Sequence, residues 1–116
     1  MLSSLLNLQS NMNQADYEIV RDAMLQTAAD IETAKRPAYV QGNIDVLHNF
    51  KTNAERMGIT PLQCAGIYWG KHVDAITSYL KDPNIHQAEP IHGRIADCIN
   101  YLKLITALIK EQDYTK

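Results

Sequence analysis

The sequence predicts an all-α protein, folded as an antiparallel bundle of about four principal helices. Apolar residues recur at intervals of three and four in four separate segments, which is the spacing of one helix face. Prolines, glycines and polar turn formers lie between those segments. A chain of 116 residues is long enough to bury one hydrophobic core. We therefore expect a single helical domain over residues 13–112, with an N-terminal tail or short helix over 1–12 and a C-terminal tail over 113–116.

The first helix is expected from about Asn13 to Arg36, and Pro37 is expected to end it because proline lacks the N–H that a helix interior needs. The preceding tail contains four leucines, which either form a short helix against a partner subunit or fray. The predicted apolar face of the first helix consists of Tyr17, Val20, Met24, Thr27 and Ile31, and the tail leucines are Leu2, Leu5, Leu6 and Leu8.

The second and third helices have recognisable ends. A short second helix is expected over residues 46–57, followed by Gly58, since glycine is common just past a helix C-terminus. The third begins with Thr60 as N-cap, Pro61 in the first turn and Gln63 as the capping-box partner. Its predicted core stripe is Leu62, Ala65, Trp69, Val73, Ile76 and Leu80.

The fourth helix is expected to open at Glu89 and Pro90, after a connector rich in turn formers. Its apolar stripe advances in alternating steps of four and three residues, a spacing typical of a helix-bundle seam. The stripe consists of Ile91, Ile95, Cys98, Leu102, Ile105 and Ile109. We expect the third and fourth helices to pair antiparallel through Trp69, Val73, Ile76, Ile95, Leu102 and Ile105.

Composition narrows the classes of function. A formal net charge of -2 argues against general affinity for nucleic acid backbones. The N-terminus has neither a basic region nor an unbroken apolar run, so we expect no signal peptide, no membrane span and a cytoplasmic protein. Cys64 and Cys98 are far apart in sequence and are expected to be free thiols. No usual zinc spacing is present, and we predict no metal or other cofactor.

Polar residues border the predicted core stripes. On the fourth helix Arg94, Asp97 and Tyr101 are expected on one flank, with Asn100 further round. Tyr68, His72 and Tyr79 run along a flank of the third helix, and Asn49 and Asn53 along the second. Taken singly, these are ordinary surface and core-edge residues. Together they could wall a polar pocket, in which rings stack on a base, amides pair with base edges, and Arg94 with Lys35, Arg36, Lys51 or Lys71 holds phosphate.

Three blocks carry a resemblance to a known family: "KRPAYVQGNIDVLHNF", "GITPLQCAGIYWGKHVDAITSYLK" and "EPIHGRIADCINYLKLITALI". Over roughly residues 32–110 they resemble small all-α proteins of phages and prophages called nucleotide-modification-associated. The resemblance implies a phage-encoded protein that handles nucleotides. The positions that carry it are Lys35, Tyr39, Asn49, Lys71, His72, Glu89, Arg94, Asp97, Asn100 and Tyr101.

The fourth helix is also loosely similar to the acidic helix of MazG-type pyrophosphohydrolases, in which an ExxD pair helps to hold magnesium. The corresponding spacing here runs from Asp97 to Asn100 or Tyr101, and the companion ExxE helix is absent from the sequence. A magnesium-dependent phosphohydrolase usually gathers several carboxylates around the ion. On the third and fourth helices the sequence offers only Asp74, Glu89 and Asp97.

The preferred interpretation is a homo-oligomeric protein that binds a nucleotide or cyclic nucleotide without turning it over, for example to sequester a second messenger of host immunity. A metal-dependent nucleotide pyrophosphohydrolase is the first alternative, and a phage inhibitor that binds a host protein is the second. No catalytic residue is assigned. The expected ligand-binding residues are Lys35, Tyr39, Asn49, Tyr68, Lys71, His72, Glu89, Arg94, Asp97, Asn100 and Tyr101.

Overall fold

The computed structural model describes residues 11–40, 42 and 45–115, and within that part of the chain it contains four α-helices and no β-strand. The predicted all-α class is confirmed. The tail leucines lie outside the described residues, and so does the side chain of Tyr39. The helices are α1 (Gln14–Val40), α2 (His48–Met57), α3 (Pro61–Lys81) and α4 (Ile91–Thr115).

Helix α1 begins where the sequence predicts and ends later. The side chain of Asn13 caps it, with the Asp16 N–H donating to Asn13 Oδ1 at 2.8 Å. Pro37 was expected to end the helix, but it lies inside the helix, which continues to Val40. The φ of proline suits a helix, so the cost is confined to the missing N–H and the crowded carbonyl of Thr33 one turn earlier. The helix nevertheless continues for about one more turn, to Val40.

The ends of α2 and α3 agree with the sequence prediction. Gly58 takes a left-handed φ of 67°, and its N–H donates to the Glu55 carbonyl at 3.2 Å. At the start of α3, the Gln63 N–H donates to Thr60 Oγ1 at 3.1 Å, and the Thr60 N–H donates to Gln63 Oε1 at 2.9 Å. The capping box predicted from the sequence is therefore complete.

Helices α3 and α4 form the central antiparallel pair. Tyr68 meets Tyr101 while His72, further along α3, approaches Asp97, which comes earlier in α4. Helix α1 packs mainly on α4, and α2 packs mainly on α3. The body measures 53 × 29 × 26 Å. Its buried core consists of Leu47, Phe50, Ala54, Cys64, Ala65, Leu104 and Leu108.

The core stripe of α4 was predicted partly on the wrong face. The buried face of α4 runs through Asp97, Asn100, Leu104 and Leu108. Of the predicted stripe, Ile105 packs against the core, whereas Leu102 and Ile109 are each 46% exposed. Since successive helical residues are turned by about 100°, the observed and predicted stripes lie roughly a third of a turn apart. The reason is that α1 packs beside α4 and buries the polar residues on that side of α4.

The predicted stripes of α1 and α3 are also only partly buried. Tyr17 and Val20 of α1 and Leu80 of α3 are exposed, whereas Ala28 and Ala65 are completely buried. The first turns of α1 therefore contribute little to the core. None of the described helices is both long and apolar enough to cross a membrane.

Candidate functional site

A cluster of charged side chains lies where α1, α3 and α4 meet. We call Lys35, His72, Glu89, Arg94 and Asp97 the polar cluster. Asp97 is its centre: Oδ1 accepts a hydrogen bond from Lys35 Nζ at 3.0 Å, and Oδ2 lies 3.9 Å from His72 Nδ1. Only 4% of the Asp97 side chain is exposed, against 47% for Lys35. A buried carboxylate is thus held by a cation that water still reaches.

Two buried nitrogens of the polar cluster are unsatisfied. Arg94 Nε lies 3.9 Å from Glu89 Oε2, too far for a hydrogen bond. His72 Nδ1 and Arg94 Nε are both buried, and neither has a hydrogen-bond partner within the described part of the chain. Buried polar atoms are usually hydrogen-bonded to protein or water. The cluster therefore has donor capacity beyond what its own carboxylates use.

Burial determines the charge of His72. It lowers the pKa of His72 below its ordinary value, and nearby Arg94 lowers it further, while the Asp97 carboxylate opposes both. At neutral pH the imidazole is consequently uncharged. Its ring stacks on Tyr101, with centroids 5.3 Å apart and planes at 29°.

An aromatic cluster of Phe50, Tyr68 and Tyr101 joins the polar cluster to the core. Its ring centroids are 5.8 to 6.2 Å apart, in tilted arrangements that favour aromatic pairing. Lys71 Nζ lies 5.7 Å from the centre of the Tyr68 ring, within cation–π range. Phe50 is buried, whereas both tyrosines are half-buried. The tyrosines thus present aromatic surface next to the cations.

The structure corrects the predicted positions of Asp97 and Asn100. Both were expected to border the core, and both are buried in it. Asn100 Nδ2 donates to the Ala28 carbonyl of α1 at 2.8 Å, and its buried Oδ1 has no partner among the described residues. Asn49, another predicted ligand residue, accepts a hydrogen bond from Asn53 Nδ2 at 3.0 Å.

Five of the predicted residues are linked across α1, α3 and α4 by the ion pairs and ring contacts described above, and Lys71 joins them through Tyr68. These five are Lys35, Asp97, His72, Tyr101 and Tyr68. Arg94 lies beside Glu89 and acts on His72 electrostatically. The sequence supplied the residue types and helical positions. It gave no signal for the pairing of Lys35 with Asp97, because the two are 62 positions apart.

Lys51, considered above as a phosphate ligand, is already engaged. Its Nζ donates to Asp45 Oδ2 at 2.6 Å and to Glu111 Oε2 at 2.9 Å. These contacts raise the pKa of Lys51, and the same ammonium lowers the pKa of Asp45. Lys51 thus ties α2 to the preceding loop and to the end of α4. Trp69, predicted as a core-stripe residue, has an indole Nε1 that is buried without a partner in the described chain.

The described residues contain no group of three or more His, Cys, Asp or Glu side chains that could hold a metal ion. Asp97, the most buried acid of the polar cluster, already accepts a hydrogen bond from a lysine. The cations of the cluster are suited to an anionic group, and the neighbouring rings to an aromatic one.

Comparison with known proteins gives no relative: no protein-family model, no curated protein and no solved structure matches the chain. The resemblance to nucleotide-modification-associated proteins therefore stays a prediction. The fold and the polar cluster define a small all-α protein with a candidate anion site between three helices.

Proposed function

We propose that the protein binds a nucleotide, holds it without turnover and works as a homo-oligomer. The observation that carries this proposal is the unsatisfied N–H of Arg94 Nε, in a cluster that also contains Lys35. A guanidinium with unused donor capacity next to another cation is what an anionic ligand would use.

The cations could hold phosphate. The guanidinium of Arg94 carries five N–H donors in a planar fork that matches phosphate geometry, and its carboxylate neighbour Glu89 lies at 3.9 Å. Lys35 and Lys71 are both exposed, so a ligand can reach their ammonium groups, and Lys35 can contact it while it stays paired with Asp97. Asp97 would keep the Lys35 ammonium near the site.

The aromatic residues suit the base. Tyr68 and Tyr101 are half-buried rings next to Lys71 and His72. Stacking of a base on such rings contributes about 1 to 3 kcal/mol and tolerates different bases. A ligand with both an aromatic base and phosphate would use both parts of the site.

Binding without turnover is supported by the state of the carboxylates. Asp97 is buried and paired, and a metal-dependent pyrophosphohydrolase needs several carboxylates free to hold the ion. Sequestration of a nucleotide, including a cyclic second messenger, requires only affinity. In a phage-encoded protein such sequestration would act as an anti-defence function.

The test is a binding assay with adenine and guanine mono-, di- and triphosphates and their cyclic mono- and dinucleotides. Isothermal titration would measure affinity, and chromatography of the denatured complex would show whether the ligand returns intact. Arg94→Gln should weaken binding about ten- to a hundredfold, because a charge-assisted contact contributes about 1.5 to 3 kcal/mol. Arg21→Gln is the control, since Arg21 pairs with Asp22 on the exposed surface of α1.

Other results would reject the proposal. Products that form only with Mg²⁺ or Mn²⁺ would establish the phosphohydrolase instead. No binding to any nucleotide of the panel would leave inhibition of a host protein as the better explanation. Equal loss in the Arg94 and Arg21 variants would place the ligand away from the polar cluster.

A further inference from the structure

Helices α3 and α4 share an apolar face that the other described helices leave partly exposed. We call it the outer face. Its most exposed members are Leu80 at 72%, Leu102 at 46% and Ile109 at 46%. The outer face consists of Leu62, Gly66, Trp69, Val73 and Leu80 on α3 and of Ile91, Ile95, Cys98, Leu102 and Ile109 on α4; the seven other than the three most exposed are partly buried, and Leu62 also packs against the core.

The orientation of α4 follows from its contacts. Tyr101 points to α3, where it meets Tyr68 and His72. Asn100, one position earlier, is turned by about 100° in one direction and bonds to α1 through the Ala28 carbonyl. Leu102, one position later, is turned by the same angle in the other direction. The outer face of α4 therefore points away from α1.

Helix α3 is oriented in the same way. Tyr68 and His72 face α4, and each is followed by an outer-face residue, Trp69 or Val73. Because α3 and α4 run antiparallel, one step forward along either chain turns toward the same side of the pair. The two apolar stripes thus form one continuous surface, on the side opposite α1 and α2.

Gly66 lies in this surface and has no evident role within one chain. A glycine inside a helix is less favourable than alanine, because the unfolded chain has more backbone freedom to lose. A Cβ added at Gly66 would meet no atom within 4 Å, so no close approach within the described chain requires the glycine. A second helix lying on the outer face would use that space.

The size of the outer face suits a dimer. Helix α3 has 21 residues and α4 has 25, so they run side by side for about 30 Å. Two helices of about 10 Å diameter then present roughly 600 Å² in projection. A stable interface buries about 800 Å² of accessible surface per partner, and a corrugated face exposes more area than its projection.

The chemistry of the face suits a second copy of this chain. None of the ten outer-face residues is charged, so the face can meet itself without like-charge repulsion. A twofold interface needs such self-complementarity.

We infer that two copies associate through the outer face, so that two α3–α4 pairs form a four-helix bundle around a twofold axis. The assembly buries Leu80, Leu102 and Ile109 and leaves Lys35 and Asp97 on the α1 side of each pair. It rests on the homo-oligomer part of the proposed function, but nothing in it depends on nucleotide binding, and its test measures mass alone.

The test is light scattering after size-exclusion chromatography, at about 10 and 100 µM protein. The wild-type chain should have about twice its monomer mass of 13.1 kDa. The double variant Leu102→Glu with Ile109→Glu should have the monomer mass, since two buried charges per copy would face an apolar partner. Ile67→Glu is the control, because Ile67 is 48% exposed on the opposite side of α3.

A second variant separates association from folding. Gly66→Leu fits the open space of a single chain and should keep the helical circular dichroism spectrum, but its side chain blocks the approach of a partner helix. It should raise the dissociation constant at least tenfold. A monomeric wild-type protein overturns the inference. So does a dimer that persists in both the glutamate and the Gly66→Leu variants, or one that Ile67→Glu dissociates equally.

Discussion

The pairing of Lys35 with Asp97 makes an asymmetric prediction about stability. Lys35→Met keeps the aliphatic stem and removes the charge, so it leaves a carboxylate that is 4% exposed without its cation. Asp97→Asn leaves an ammonium on a side chain that is 47% exposed, where water can solvate it. We therefore expect the lysine substitution to destabilise the fold more than the aspartate substitution does.

The magnitude follows from the burial of the two partners. Removing one member of a fully buried pair costs about 3 to 5 kcal/mol, because the remaining charge is uncompensated. Since water already reaches Lys35, we expect about 2 kcal/mol for Lys35→Met. Asp97→Asn loses one charged hydrogen bond but relieves the desolvation of the carboxylate, for a net cost of about 1 kcal/mol. The double variant has no buried charge at this position and should also cost about 1 kcal/mol.

The assay is urea unfolding followed by far-ultraviolet circular dichroism. It should be run at pH 8, where His72 is neutral, and at one protein concentration, because association would add to the apparent stability. With a slope near 2 kcal/mol per molar urea, Lys35→Met should lower the midpoint by about 1 M. The double variant should be more stable than Lys35→Met alone, which is the signature of direct coupling.

Two results would refute this reasoning. If Asp97→Asn lowers the free energy of unfolding as much as Lys35→Met does, then water does not solvate an unpaired Lys35 better than an unpaired Asp97. If the two single costs simply add in the double variant, the 3.0 Å contact contributes nothing to stability.

Three further predictions concern a titrating group, a helix cap and the core. Burial lowers the pKa of His72 in the folded protein, while the unfolded value is about 6.5. As the pH drops below about 6.5, the free energy of unfolding should therefore decrease, by up to 1.4 kcal/mol per pH unit. His72→Gln should remove that part of the pH dependence of urea midpoints. Thr60→Ala should lower the free energy of unfolding by about 1 kcal/mol through loss of the α3 cap, and Thr77→Ala, an exposed site on the same helix, should change it little. Leu108→Ala should cost about 2 to 5 kcal/mol because Leu108 is 1% exposed, whereas Met57→Ala, at a 47% exposed site, should cost far less in the same denaturation assay.

Local chemistry made the helix ends predictable. The Thr60 capping box and Gly58 each act within a few residues, so the sequence alone specifies them. Pro37 was misleading because its cost is only local and α1 extends one turn beyond it. The rule that proline ends helices describes an average preference. In α1 the cost of one unfavourable turn does not end the helix.

The polar cluster was predictable only in part. Helical spacing placed Arg94, Asp97 and Tyr101 close together on one helix and His72 on the flank of another, and Lys35 was one of several cations considered for phosphate. The sequence could not show that Asp97 is buried, because burial depends on α1 crossing α4. Nor could it show that Arg94 Nε and His72 Nδ1 lack hydrogen-bond partners. Arg94 Nε lies 3.9 Å from Glu89 Oε2 and His72 Nδ1 lies 3.9 Å from Asp97 Oδ2, and both distances depend on how the folded chain packs.

The wrong core stripe on α4 has a physical cause that bears on self-association. Periodicity reports the most apolar direction of a helix, and Asp97 and Asn100 make the buried side of α4 less apolar than its outer side. In a monomer, leucine and isoleucine at exposed positions such as Leu102 and Ile109 add little to the stability of the helix. A helix that packs against its own chain on one side and a second copy on the other needs two apolar faces, and α4 has both. If the wild-type protein is a dimer that Leu102→Glu with Ile109→Glu dissociates, the sequence stripe marks the interface between chains, and the face through Leu104 and Leu108 marks the core within one chain. If it is a monomer, the offset reflects only the burial of the polar cluster.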